Sequence, residues 1–159
     1  MECVHVLNGA LLDMLATGGG IVDFDEEAGV ASFWGTGEER FDATTVDDTA
    51  RYAARAAVDP SVPSGKFAVA GQQLSFGDIV SAVERGTGRR YERRSRGTTD
   101  DLRAWIADRR EAGETMAAMY GAYQLYMLTG QTALDDLQND RYPDIEPVTL
   151  AQLPAEKVV

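Results

Sequence analysis

What this 159-residue chain lacks narrows its chemistry before any motif is weighed. Cys3 is the only cysteine, so no disulfide can close within one chain, and a reducing, cytoplasmic setting is expected. His5 is the only histidine. One sulfur and one imidazole cannot build a zinc site of the usual kind, so no metal is expected. A Ser-His-Asp or Cys-His triad would have to recruit His5 from an apolar run beside the first residue. Positive charge is scarce as well: 15 Lys and Arg stand against 26 Asp and Glu, for a net charge of -11. Such a surface repels phosphate backbones and anionic headgroups, which argues against nucleic-acid and membrane partners. No apolar run reaches the length of a membrane span. Val4 to Leu15 comes nearest, but His5, Asn8 and Asp13 interrupt it, and it lacks the basic leader of a signal peptide.

What remains is an ordinary globular composition, 44% hydrophobic and 26% charged, expected to form one domain over 1–159. The β-branched run Cys3 to Leu7 predicts a strand, broken by Asn8-Gly9, and Ala10 to Leu15 a helical turn or two. Ile21 to Phe24 and Val30 to Trp34 predict two short strands joined by the acidic turn Asp25 to Gly29. Three helices follow, each announced by a hydroxyl residue with an aspartate three places on: Thr45 and Asp48, Ser75 and Asp78, Thr98 and Asp101. The hydroxyl accepts from an orphan backbone N–H, and the carboxylate suits the positive end of the helix.

The first helix is expected to bury Val46, Ala50, Ala53 and Ala57, and the second Phe76, Ile79, Val80 and Val83, stopping at Gly86-Thr-Gly88. Between them Lys66 to Ala70 reads as a buried parallel strand, and Arg89 to Ser95 as a polar edge strand. From Thr98 to about Gly130 the chain is mainly helical, with a break near Gly113. Residues 139–159 hold Pro143, Pro147 and Pro154 and read as a mostly irregular tail. Strands alternating with helices imply an α/β fold with a small, partly parallel sheet and flanking helices.

Several motifs tempt and are set aside. Gly35-Thr-Gly-Glu-Glu-Arg40 mimics a phosphate loop, yet its glutamates would face the phosphates and a strand follows it, so it reads as a turn. Six of the thirteen arginines fall between Arg85 and Arg96. The favoured reading is a solvated edge whose like charges discourage pairing, over an anion site. Neighbouring carboxylates such as Asp47-Asp48 and Asp135-Asp136 point about 100° apart on a helix and do not converge. The Asp23 to Glu27 turn lacks the spaced ligands of a calcium loop. The stripe Met116, Met119, Tyr120, Tyr123, Tyr126 and Met127 is either core or the wall of a pocket; each tyrosine hydroxyl needs a partner if it is buried.

Phe33-Trp-Gly-Thr-Gly-Glu-Glu-Arg-Phe-Asp-Ala-Thr-Thr-Val-Asp-Asp-Thr-Ala-Arg51 resembles a segment of the NmrA-like and isoflavone-reductase-like group of short-chain dehydrogenases/reductases. Gly65 to Gly71, Leu74-Ser75, Gly86-Thr-Gly88 and Asn139-Asp-Arg-Tyr-Pro-Asp144 with Thr149 are similar to the segments that follow in that group, and in the same order. On this resemblance Val4 to Asn8 stands for the strand that closes the group's cofactor domain, with Leu7 where arginine is common, and residues 1–16 are a remnant of its last central strand and helix. The group's dinucleotide turn, GxxGxxG, is absent from the sequence. So is its Tyr-x-x-x-Lys pair, because the residues four places before Lys66 and Lys157 are Val62 and Leu153.

The resemblance therefore implies a truncated, substrate-side module that binds a small apolar or aromatic metabolite. Hydride transfer by this chain alone is not expected, and NAD(P) would enter only with a partner chain supplying the Rossmann half. The expected substrate contacts are Asn8, Trp34, Tyr120, Tyr123, Met127 and Tyr142. A cofactor-free isomerase or cyclase is the runner-up, with Tyr120, Tyr123 or Tyr126 donating protons and Asp47 or Asp13 accepting them. A regulatory interaction module is the third reading. In it the exposed first strand docks a second copy or a partner chain.

Overall fold

The computed structural model describes residues 3–15 and 20–153. Its strands form three small sheets. β1 (Val4–Leu7) pairs in parallel with β6 (Gly65–Ala68), which sets Val6 beside Phe67. β5 (Phe41–Thr44) lies between β2 (Ala10–Leu11), parallel to it, and β7 (Gln72–Leu74), antiparallel to it. β4 (Val30–Phe33) lies between β3 (Asp23–Asp25), antiparallel, and β8 (Glu92–Ser95), parallel. The helices are α1 (Leu12–Leu15), α2 (Val46–Val58), α3 (Phe76–Thr87), α4 (Thr99–Glu111) and α5 (Thr115–Leu128). The architecture is the expected small α/β fold with a partly parallel set of strands and flanking helices.

The hydroxyl-aspartate signals mark real helix starts. Thr45, Ser75 and Thr98 are the N-caps of α2, α3 and α4, and each side chain accepts from the backbone N–H of the aspartate three residues on. Ser75 and Thr98 complete reciprocal capping boxes with Asp78 and Asp101. Gly88 closes α3 in the left-handed conformation, φ 70°, as a terminal glycine should. Phe76, Ile79, Val80 and Val83 are buried as the helical period requires. All four residues of β8 are exposed, which suits a charged edge strand.

Two expectations need correction. α2 buries Asp48, Tyr52 and Ala56, while Val46, Ala50 and Ala57 face outward and Ala53 is half-buried. Tyr52 decides the orientation, because one buried aromatic ring removes more apolar surface from water than several alanine methyls. Its hydroxyl donates to the Ile145 carbonyl at 3.4 Å and accepts from Asn139 Nδ2 at 3.1 Å. The stretch from Ala10 to Leu15 begins as a strand, not a helix. Gly9, at φ 65°, carries the backbone over β5 so closely that a Cβ there would lie 2.4 Å from the Asp42 carbonyl oxygen.

Two apolar clusters fill the interior. The larger joins β4, β5 and β7 to α1, α3, α4 and α5, with Phe33, Phe41, Leu74, Phe76, Leu102 and Met127 among its members. The smaller packs Tyr52 and Ala56 of α2 against Phe67, Val69, Tyr142 and Ile145. The Asn139–Asp144 segment is thus a clamp. Asn139 Oδ1 accepts from the Ala70 N–H, Asn139 Nδ2 donates to the Ala70 carbonyl at 2.9 Å, and the Tyr142 ring enters the core.

Candidate functional site: a cleft between the first strands and helix α5

The chain leaves β1 at Leu7 and turns through Asn8-Gly9 into β2, exposing one flank of that turn. α5 runs past this flank. Gly121 seats it closely against α4, since a Cβ there would meet Trp105 Cζ3 at 2.7 Å and Ile106 Cγ1 at 2.8 Å. The space left between turn and helix is a cleft of about 240 Å3, walled by Leu7, Asn8, Tyr123, Met127, Thr132 and Leu134, among others. Tyr123 also lines a second, apolar chamber of about 110 Å3, with Leu11, Met14, Leu15, Ile21 and Tyr120. Together the chambers reach the lower end of ordinary small-molecule sites, about 300–1,000 Å3. Among the described residues, no charged side chain lines either one.

The expected residues fall into two groups. Asn8, Tyr123 and Met127 line the cleft and Tyr120 the apolar chamber that shares Tyr123 with it, Met127 almost wholly buried and the two tyrosines about 40% exposed. Trp34 and Tyr142 lie elsewhere. Trp34 is in the larger core, its ring 6.1 Å from that of Trp105 and under the Arg96 guanidinium. Tyr142 is in the smaller core, where its hydroxyl donates to Asp59 Oδ2 at 2.9 Å. Tyr126 shares α5 but lines neither chamber and is 45% exposed. Asp47 is exposed in the first turn of α2, and Asp13 Oδ2 accepts from the Val46 N–H at 2.7 Å.

Sequence reasoning missed Thr132 and Leu134, which belong to the segment after α5 and carry no periodic signal. It also missed the apolar chamber lined by Leu11, Met14, Leu15 and Ile21, which read only as a helical turn and the start of a strand. Burial holds the Tyr123 hydroxyl above the ordinary tyrosine range. It therefore stays protonated near neutrality and serves as a hydrogen-bond donor, the opposite of an activated tyrosinate. Beside it on α5, the buried Gln124 spends its amide on the Gly20 carbonyl at 3.1 Å, and its Oε1 has no hydrogen-bond partner.

A dinucleotide's diphosphate is held by free N–H groups at a helix N-terminus. At the starts of α2, α3 and α4 these groups are already partnered. Asp13 accepts from the Val46 N–H at the start of α2, and Asp78 and Asp101 close the capping boxes of α3 and α4. A diphosphate placed there would displace a resident carboxyl group. The starts of α2, α3 and α4 do not fit that group.

No protein-family profile and no curated protein matches the chain. Solved structures do. The fold is similar to that of an isoflavone reductase, with a TM-score of 0.77 and 14% identity, over 96% of this chain and 51% of that one. It is similar to a protein solved with NADP+ and (+)pinoresinol, at TM-score 0.73 and 16% identity over 98% and 50% of the two chains. It is also similar to leucoanthocyanidin reductase from Vitis vinifera in its binary complex with NADPH, at 0.67 and 13% over 95% and 52%. The chain thus spans about half the length of the solved structures it matches. Its fold is the C-terminal half of the isoflavone-reductase fold.

Proposed function

We propose that this chain is the substrate-side module of a reductase-type fold and binds a small, uncharged aromatic or apolar molecule in the cleft between Asn8 and α5. One observation carries this reading: a cleft lined by Asn8, Tyr123 and Met127 that shares Tyr123 with an apolar chamber lined by Tyr120, with no charged side chain among the described residues of either lining. Apolar walls supply affinity by burial, while Asn8, Thr132 and the protonated Tyr123 fix orientation. The chain does not transfer hydride by itself. Support comes from the missing GxxGxxG turn and from helix starts already taken by carboxylates. A nicotinamide cofactor would arrive on a partner polypeptide carrying the nucleotide-binding half. β1 suits that docking: among the described residues it pairs only with β6, leaving its other edge open.

The isomerase or cyclase reading is weaker, because neither chamber is lined by a carboxylate to pair with the tyrosines. Calorimetric titration tests the proposal. β-Naphthol should bind, and Tyr123→Ala with Met127→Ala should weaken it at least about tenfold through lost apolar contact, whereas NADPH should give no binding heat. Tight NADPH binding by the isolated chain would refute the proposal.

A further inference from the structure

Asp42 is unusual for its place. It lies in β5, whose four residues are all buried, and it is 5% exposed. A carboxylate in such a setting needs partners that compensate for lost water. Among the described residues it has no ion pair. Its oxygens accept instead from the Leu134 backbone N–H at 2.8 Å and from Gln73 Nε2 at 3.5 Å. The stronger of these bonds leaves the sheet and reaches the segment after α5.

That segment, residues 129–138, supplies Thr132 and Leu134 to the cleft wall. Its first part is held by local turns, Gln131 N–H to the Tyr126 carbonyl and Ala133 N–H to the Gly130 carbonyl. Its far end is held by the Gln138 N–H, which donates to the Ala68 carbonyl at 2.8 Å. Between these points, among the described residues, its hydrogen bond to the body of the fold is the one to Asp42. Just beyond lies Asp136 at φ 50°, the one non-glycine residue with positive φ among those described. A left-handed residue outside glycine is a modest strain, kept where surrounding contacts over-determine it. Gly9 passes over the backbone and Cβ of the same aspartate, so strand end, strap and Asp42 meet beside the cleft.

We propose that Asp42 is a positioning residue, the catch that holds the 129–138 strap closed over the ligand cleft and so governs how fast a ligand enters and leaves. The bond is short and partly buried, which suits a catch on a segment otherwise fixed only at its ends. This inference rests on the cleft being a ligand site.

Amide hydrogen exchange combined with stopped-flow binding of β-naphthol tests it on the whole chain. In Asp42→Asn the exchange of the Leu134 amide should rise about five- to tenfold, and in Asp42→Ala about ten- to hundredfold, as a charged acceptor becomes neutral and then vanishes. Amides of α5 and β5 should stay protected, and β-naphthol should dissociate faster in step with the strap. Unchanged exchange at Leu134 overturns the inference, and so does a uniform rise across α5 and β5. If Asp42→Ala does not fold, the isosteric Asp42→Asn decides alone. Faster exchange in a protein that never binds β-naphthol would leave the catch standing and remove the ligand reading.

Discussion

Gly121→Ala sets two opposing effects against each other at the helix that carries the cleft. In an isolated helix the change would stabilise by about 1 kcal/mol, because glycine is the poorer helix former. In this fold the new methyl would sit 2.7 Å from Trp105 Cζ3 and 2.8 Å from Ile106 Cγ1. Neither atom is the free end of a mobile side chain. Ile106 is buried, and Trp105 is held between Trp34 and the guanidinium groups of Arg96 and Arg109. Overpacking of this kind costs about 1–3 kcal/mol. The steric cost wins, for a net destabilisation of about 1 kcal/mol. In a domain of this size that lowers Tm by about 2–4 °C. Urea unfolding should show a lower midpoint with an unchanged slope. In a Trp105→Leu background the same change should cost less, since one of the two groups it strikes is gone while Ile106 remains. Stabilisation by Gly121→Ala in the unaltered chain would refute the reasoning: α5 would then not be seated against α4, and Tyr123, two residues on, would not stand where the cleft requires.

Other perturbations read other parts of the structure. Met127→Ala, at a side chain 1% exposed, should cost about 2–5 kcal/mol in denaturant unfolding as well as enlarging the cleft. Asn139→Ala removes a bidentate contact with Ala70 and the partner of the Tyr52 hydroxyl, and should cost about 2–3 kcal/mol in the same assay. Hydrogen bonds from Ser61, and then from Tyr142, hold the Asp59 carboxyl below the ordinary carboxylate range. Its stabilising effect is thus complete above its unfolded value and fades as pH falls through the lower folded one. Asp59→Asn should flatten that part of an acid-unfolding curve. Burial first, and for Tyr142 the bond to Asp59 second, raises the tyrosines Tyr52, Tyr123 and Tyr142. Their contribution is full below the ordinary tyrosine value and is lost as pH rises through the folded ones, so tyrosinate absorbance should appear late, together with unfolding.

How far the sequence could be read depended on the range of the interactions. Capping is local, and the three hydroxyl-aspartate starts at Thr45, Ser75 and Thr98 were legible without any tertiary knowledge. The parallel strand at Gly65–Ala68 and the exposed edge at Glu92–Ser95 were legible too, from apolar run and charge run respectively. The face of α2 was not. Four apolar positions at helical spacing lost to one tyrosine whose partners, Ile145 and Asn139, lie about ninety residues away in sequence. Asn8, Tyr120, Tyr123 and Met127 converge because a pocket wall shows in helical spacing and in a strand's end. Thr132 and Leu134 were invisible, since they follow α5 in turns without periodic signal and Leu134 is tied to a residue of β5 about ninety positions away. A hint was there in the aspartate inside Phe41-Asp-Ala-Thr44, a polar residue in a run that otherwise asks to be buried.

Amide chemical shifts of the nitrogen-labelled chain, followed while β-naphthol and then NADPH are added, test most directly whether this half-fold holds a ligand without holding a dinucleotide. β-Naphthol should move the signals of Asn8, Tyr123, Met127 and Thr132 together, and NADPH should leave the spectrum unchanged. A compact set of shifts with NADPH at the first turn of α2, α3 or α4, or none with β-naphthol at the cleft, would contradict the account.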